Sequence, residues 1–385
     1  MSADGIAAES RALRQALGRF RNRHAWLQHP EGRRWEQRLE QLLATVRRFE
    51  APDTAAPAPL HVAHWNILHG AAYDDVLAVL QRDPHLAGAG LLSLNEVDLG
   101  LARSGNRDVA FDLARALHMH AVWAPLFLEL DGGHLTPEPV RRAAQREALF
   151  GLAVLSRYPL GRARRIELES PRDHLFDVER KAGAFIALVV EVRAAQPFTF
   201  VVTHLDVHGA PETRLRQLRT VLEAIPEGAT ILCGDLNTTT FRRGAWLRTA
   251  ATLATLALWP RRMLDRRLHR PEEPPLRPRE PLFTELAAHG FDYSAFNTRD
   301  ASLDLRLRDT YEYHVLPRFV RALARGLFRH VERRTAHRLD WIVARGFDVD
   351  PAHPPYTGSR WMRGTRPASD HAPIACGLRW RDRVV

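Results

Sequence analysis

The stretch GDLN at 234–237 closes an apolar run with a carboxylate, Asp235, and an amide, Asn237. In an extended chain alternate side chains share a side, so the acid and the amide face one way while Leu236 faces the protein body. Asn66, Glu96 and His204 end other apolar runs, and Asp370 with His371 opens the last one. In sheets covered by helices, loops converge at strand ends without disturbing the core, so this set of oxygen and nitrogen groups points to a ligand-binding site. Taken singly, each group has a plainer reading. Asp-x-Asn is commonly a turn, and a lone His204 or Asp340 is commonly a satisfied structural group. Three competing site types are excluded. Lys181 lacks the preceding glycine of a phosphate-binding loop, GAGLLS at 88–93 has Ser93 where a dinucleotide fingerprint needs glycine, and G-x-S-x-G does not occur.

The elements that must position these groups are short apolar runs: HVAHWN, GLLSLNEVD, GLAVLSRYP, AFIALVVEV, FTFVVTHLD, ATILCGDLN, HRLDWIVARG and DHAPIACGLRW. Segments with helical spacing, such as Leu215, Leu218, Val221, Leu222 and Ile225, separate several of them. Strands interleaved with helices imply an α/β architecture, a sheet covered by helices.

Residues 1–50 read as a helical N-terminal extension, with Leu13, Leu17, Phe20, Leu39, Leu42, Leu43 and Val46 at helical spacing. The Pro- and Ala-rich segment 51–59 reads as a linker, and 60–385 as the main domain. Residues 241–335 differ from the rest. AWLRTAATLATLALWP is almost wholly apolar, RPEEPPLRPREP follows, and LPRFVRALARGLFRHVERR sets Leu316, Phe319, Val320, Leu323, Leu327 and Val331 on one helical face and Arg318, Arg321, Arg325 and Arg329 on another.

The 385 residues are 45% apolar with a formal charge of +10, and Lys181 is the only lysine among 55 basic residues. Such a balance favours anionic partners without choosing among them. Cys233 and Cys376 sit in apolar runs and form no CxxC pair, as buried thiols do. No apolar segment reaches the roughly 20 residues that span a bilayer, and the N-terminus has no continuous apolar stretch of a secretory signal. A cytoplasmic protein is expected, at most peripheral at the inner membrane face.

In chain order, HWNI, LNEVD, GLAVLSRYP, VTHLD, CGDLN, RLDWI and SDHAP resemble the strand-end motifs of the endonuclease/exonuclease/phosphatase, or DNase I-like, superfamily. The resemblance covers residues 60–380 apart from 241–335. It implies a four-layer sandwich of two packed mixed β-sheets flanked by helices, with the site at one edge, and a metal-dependent phosphoesterase using Mg²⁺, with Mn²⁺ as a substitute. By resemblance, Glu96 is the principal metal ligand, with Asn66 and Asp370 beside the metal. Asp235 positions or deprotonates the attacking water, and Asn237 helps hold the scissile phosphate. His371 binds the phosphoryl oxygen or aids the leaving group, Asp340 orients it, and His204 is a second phosphate contact. Phosphoryl transfer needs mainly positioning and charge neutralisation, which these residue types supply.

The chain departs from the family pattern at Asn95, where glutamine is usual, and lacks a clear match for the family's middle substrate-facing residue. Arg180 and Lys181 are the candidates for that place. Two substrate readings and one non-catalytic reading follow. A phosphodiester in a lipid or anionic membrane surface is suggested by 241–335, and DNA or RNA by the net charge. A binding module without catalysis would require loss of a site residue, and none is lost.

Overall fold

A computed structural model describes residues 3–52, 60–133, 137–207, 209–238, 255–273, 280–304, 325–332, 334–362 and 367–381. Eight of the sixteen strands among the described residues are the apolar runs read from the sequence. One sheet of nine strands contains β1 (Arg47–Phe49), β2 (Leu60–Asn66), β3 (Leu91–Leu99), β4 (His120–Glu129) and β5 (Leu149–Ser156). A five-stranded sheet is begun by β6 (Leu160–Glu167), after which β7 (Lys181–Gly183) returns to pair with β4. The second sheet then continues with β8 (Ile186–Val192), β9 (Phe198–His204) and β10 (Thr230–Asp235). A two-stranded ribbon joins β11 (Leu303–Asp304) to β12 (Ala336–His337), and β13 (Asp340–Arg345) completes the second sheet. The first sheet is completed by β14 (Phe347–Val349), β15 (Tyr356–Thr357) and β16 (Ile374–Trp380).

The order β1-β4-β5-β3-β2-β16-β14 faces the order β13-β10-β9-β8-β6, and both sheets mix parallel with antiparallel pairs. All seven residues of β9 and all six of β10 are buried, which is why these strands read as continuous apolar runs rather than as alternations. The two inner faces share one apolar core. Helices cover the outside, so the expected α/β sandwich of two packed mixed sheets is the architecture found.

The helices are α1 (Ala3–Leu17), α2 (Arg23–Gln28), α3 (Gly32–Leu43), α4 (Tyr73–Arg82), α5 (Val109–Leu117), α6 (Glu138–Arg141), α7 (Arg172–Asp177), α8 (Pro211–Ala224), α9 (Arg261–His269), α10 (Leu282–Ala288) and α11 (Arg325–Glu332). The N-terminal helices form where the spacing placed them, with the break at His29. They are not set apart at residue 50. Leu13, Leu17, Trp26, Trp35, Leu39 and Leu42 belong to the main core, and Trp26 packs on Phe176 with ring centroids 5.2 Å apart. Residues 47–49 are strand rather than helix, pairing from Arg47↔Trp123 to Phe49↔Ala121. An amphipathic arm this apolar has no other surface on which to bury its stripe. Of the linker, 53–59 lie outside the described residues, and Ala51 is already packed, its N–H 3.2 Å from Nδ1 of His120.

The stretch 241–335 divides in two. Leu282, Phe283 and Leu286 of α10 sit in the main core, and Glu280 forms a buried 2.6 Å pair with Arg214 of α8. By contrast Leu256, Leu264, Leu268 and Val331 make a small cluster of their own. Of the basic amphipathic segment, α11 is described and 316–324 lie outside the described residues. Val331 is buried, and Arg325 and Arg329 are exposed as the pattern predicts, but Leu327 is also exposed. Among the described residues no helix is long and apolar enough to cross a membrane.

Candidate active site

Sheet register brings the strand-end groups together. In the second sheet Asp235 stands opposite His204 on parallel β9 and opposite Asp340 on antiparallel β13. In the first sheet Asn66 stands opposite Asn95, and His64 opposite Ser93. Because the sheets face each other, the two rows meet at one rim. Asn66 Nδ2 donates to Glu96 Oε1 at 3.1 Å and to Asp235 Oδ2 at 3.3 Å, tying the sheets across that rim.

Glu96 reaches it through a distorted backbone. The β3–β5 register shifts between Leu94 and Val97, and Glu96 at the bulge has φ +57°. A left-handed non-glycine residue in a strand is strained by roughly 1–3 kcal/mol, a distortion that here re-aims one carboxylate out of the alternation. Asn237 is left-handed as well, at φ +49°. Its N–H donates to Asp235 Oδ1 at 2.9 Å and its Nδ2 to the Leu205 carbonyl at 2.8 Å. GDLN is therefore both a turn and a site: the turn presents Asp235, and Asn237 fixes it instead of simply sharing its side.

Electrostatics divide the cluster into roles. Burial opposes charge on His371, but Asp340, Asp370 and Asp235 outweigh it and hold the imidazole well above its ordinary range, as a cation. Its Nδ1 lies 2.7 Å from Asp340 Oδ2 and its Nε2 3.8 Å from Asp235 Oδ2. Asp340 is buried, yet His371 and His64 keep its carboxyl below the usual range. Burial, with the charge of Asp340, pushes Asp235 up to about 6. His204, 3.6 Å from Asp235, is pushed down to about 4 by burial and by His371, and is neutral at pH 7.

The ligand atoms of Asp235, Asp340 and His371 lie within 4.8 Å of one another, so an acidic group able to hold a metal is present. Both oxygens of Asp340 already face imidazoles, however, and a cationic His371 is no ligand. Glu96 is the freer carboxylate. Among the described ion pairs it meets only His69, at 3.5 Å, and burial with the nearby Asp370 raises its pKa. A carboxylate 19% exposed without a fixed cation, in a set of hard oxygen and nitrogen donors, fits a hard divalent ion. The Ser369 hydroxyl donates to the Asn66 carbonyl at 2.7 Å, and its oxygen lies 3.3 Å from Asp370 Oδ1.

Of the two remaining candidates, Lys181 joins the cluster and Arg180 does not. Lys181 Nζ lies 3.6 Å from Glu179 and 4.0 Å from Glu129 over the Phe127 and Phe150 rings. Burial opposes its charge, but Glu129, Glu179 and Glu96 win and raise its pKa. Arg180 instead stacks over Phe176 and donates to the carbonyls of Phe176 and Gly18. Asn95 bridges the sheets by donating to the Thr203 carbonyl at 3.0 Å.

Sequence reasoning missed three groups, His64, His69 and Arg103. His64 lies 3.0 Å from Asp340 and 2.8 Å from Ser93 Oγ, and strand alternation puts it on the side of Asn66. His69 lies beside Glu96 and Asp98, and Arg103 pairs with Asp98 at 2.8 Å and Glu129 at 3.1 Å. No spacing rule marks His69, because it follows from the left-handed turn at Leu68 and His69.

A family model described as "Endonuclease/Exonuclease/phosphatase family" matches residues 25–371. Comparison with curated proteins finds no match. Among similar solved structures, an endonuclease/exonuclease/phosphatase from Beutenbergia cavernae is 18% identical with a TM-score of 0.48, covering 83% of this chain and 71% of that one. The human Nocturnin catalytic domain with bound sulfate is 15% identical with a TM-score of 0.45, covering 88% and 97%. A 3' phosphatase from Neisseria bound to product DNA hairpin is 16% identical with a TM-score of 0.46, covering 83% and 100%.

Proposed function

The chain belongs to the endonuclease/exonuclease/phosphatase family, and from that membership and the geometry of the rim we propose that it is a magnesium-dependent phosphoester hydrolase favouring phosphodiesters. The observation that carries the reading is the convergence of Asn66, Glu96, Asp235, His204, Asp340 and His371 at one edge of two sheets, with the acid–base pair His371–Asp340 at 2.7 Å. Glu96 and Asn66, with Asp370 nearby, would hold the metal. When bound, Mg²⁺ or its substitute Mn²⁺ neutralises phosphate charge and polarises the phosphoryl oxygen.

Asp235 accepts a proton from the attacking water, for which burial and Asp340 have tuned it to about 6. Asn66 and the Asn237 turn hold that carboxylate in place. His371, kept cationic by Asp340, presents Nε2–H to the phosphoryl oxygen or to the leaving oxygen as charge develops there. His204 is neutral and orients beside Asp235. Lys181, whose pKa the charges of Glu129, Glu179 and Glu96 raise, supplies fixed positive charge near Glu96.

Hydrolysis of bis-p-nitrophenyl phosphate and p-nitrophenyl phosphate by wild type, Glu96→Ala and His371→Ala tests this. Turnover of the diester that needs Mg²⁺ or Mn²⁺ and collapses in both variants is expected. Turnover indifferent to both substitutions would place the chemistry elsewhere. The formal charge of +10 favours nucleic acid as a second reading. That reading loses if plasmid and single-stranded DNA survive under conditions that consume the diester.

A further inference from the structure

Four of the five exposed large apolar side chains among the described residues, Leu258, Trp259, Met263 and Leu327, belong to the region read as an insertion. Leu258 is 80% exposed, Met263 54% and Leu327 46%, values unlike those of the well-packed remainder. They are held near one another. His330 Nε2 lies 3.1 Å from the Ala257 carbonyl, and Arg334 donates to the carbonyls of Ala257 and Trp259, so the end of α11 lies against residues 257–259. Leu327 is one turn before Val331, which packs with Leu256, Leu264 and Leu268. Met263 adjoins Leu264 at the start of α9. The small cluster therefore buries one side of these segments and leaves the other apolar and exposed.

Arginines stand along the same segments. Arg261, Arg262, Arg266, Arg325 and Arg329 are exposed, and Arg267 lies over the Trp259 ring at 5.3 Å. A cavity of about 850 Å³, whose lining is of mixed charge, is bounded by Arg261, Asp265, Glu332 and Arg334 of these segments together with Asp304 and Tyr356. Asp304 donates its N–H to the Asp370 carbonyl at 3.3 Å, and Leu303 bridges to His371, so the cavity wall is continuous with the catalytic rim.

We propose that the face formed by Leu258, Trp259, Met263 and Leu327 docks the protein on an anionic lipid surface. This deepens the hydrolase reading, on which it rests for its purpose, by naming the partner that brings phosphoesters to the rim. Aliphatic side chains that protrude among arginines match the boundary between acyl chains and anionic headgroups, and a tryptophan there keeps its ring at the interface. On a nucleic acid backbone Leu258, Met263 and Leu327 would contact phosphates to no advantage. On a second copy, the same arginines would face one another across a two-fold axis and repel.

The test is co-sedimentation of the full chain with phosphatidylcholine vesicles, with and without about 30 mol % phosphatidylglycerol, at low salt. Wild type is compared with Leu258→Ser/Met263→Ser and with Arg262→Glu. Wild type sediments with anionic vesicles, and each variant loses at least about tenfold in affinity while hydrolysing soluble bis-p-nitrophenyl phosphate as wild type does. Absence of vesicle binding by wild type, or equal binding by all three proteins, overturns the proposal. So does a variant-dependent loss of dimer in light scattering or of duplex DNA binding with vesicle binding unchanged. Docking without soluble turnover would sink the hydrolase reading alone; soluble turnover without docking would sink this proposal alone.

Discussion

Asp340 holds His371 by a 2.7 Å contact between Oδ2 and Nδ1, and its other oxygen lies 3.0 Å from Nε2 of His64. One buried carboxylate thus sits between two imidazoles, and its hydrogen bond fixes which nitrogen of His371 faces Asp235. Asp340→Asn replaces a charge that holds the imidazolium by an amide that does not. Diester kcat is expected to fall by about 100-fold or more, with little change in KM, since the lost interaction acts in the transition state. His64, which touches Asp340 and Ser93, acts one step further from the reacting centre, so His64→Gln should lower kcat by less. A larger loss in His64→Gln than in Asp340→Asn would reverse the assigned order of roles.

The base at Asp235 gives the pH dependence of the rate. Its carboxyl is raised to about 6 by burial and by Asp340, and only the carboxylate accepts a proton from water. At fixed limiting metal, kcat/KM should therefore rise with pH across this region and level off above it. A cation beside Asp235 favours its charged form, so more metal should shift the rising limb to lower pH. A limb indifferent to metal concentration and retained in Asp235→Asn would belong to another group.

Glu96→Gln separates metal binding from folding. Removing a carboxylate desolvated on a strained bulge should raise the melting temperature of metal-free protein or leave it unchanged, because an uncompensated charge is lost. The shift in melting temperature produced by Mg²⁺ or Mn²⁺ should disappear, and the half-saturating metal concentration should rise by about tenfold or more. An undiminished thermal shift would move the metal to the Asp235–Asp340–His371 group.

These residues also show what the linear chain discloses. Asp235, with Asn237 just beyond it, and His204 close strands whose apolar runs are unbroken, and Asp340 opens another, so both the strands and the polar groups at their ends were visible. The α/β class followed from the interleaving, and the pairing of two sheets from the family resemblance. The partnership of His64 with Asp340 spans 276 residues and depends on how two sheets face each other, which no spacing encodes. The bulge at Glu96 and the turn at His69 are left-handed at residues other than glycine, so nothing in their identity announces them. Residues 47–49 looked like the tail of a helical arm because Val46 continued its spacing, while the open edge of β4 decided their conformation.

Two titrating groups outside the rim contribute to the acid limit of stability. Asp83 is buried. Burial alone would raise its pKa, but hydrogen bonds from Trp361 at 2.7 Å, Tyr356 at 2.8 Å and Arg360 at 2.8 Å lower it. A depressed folded pKa gives stability that is present above the unfolded value and lost as pH falls through the folded one, so this group acts below about pH 4. His61 is pushed down to about 4 by burial and by His353. The unfolded chain then binds the extra proton between about pH 6.5 and 4, and stability falls across that window as pH drops. Urea midpoints should decline from about pH 6.5 downward. His61→Phe should flatten the upper part of the decline, and Asp83→Asn should lower the midpoint at neutral pH by about 1–3 kcal/mol equivalent. A decline as steep in His61→Phe as in wild type would contradict the His61 assignment.

Gly234 completes the case for GDLN as a site whose backbone matters as much as its side chains. A Cβ at this position would lie 2.1 Å from the Thr203 carbonyl oxygen and 3.0 Å from its carbon. The obstacle is backbone, held in the parallel β9–β10 ladder and bonded by Asn95 from the facing sheet, so no side-chain rotation relieves it. Gly234→Ala must push β10 from β9 just before Asp235, where His204 is its register partner. Overpacking of this kind destabilises by about 1–3 kcal/mol, and an ångström of misplacement at the reacting centre lowers rate by about 100-fold. Gly326→Ala, which meets nothing within 4 Å in α11, serves as the control and should leave kcat unchanged. If Gly234→Ala matched the control in both melting temperature and diester turnover, the spacing of β9 and β10 would not be what positions Asp235.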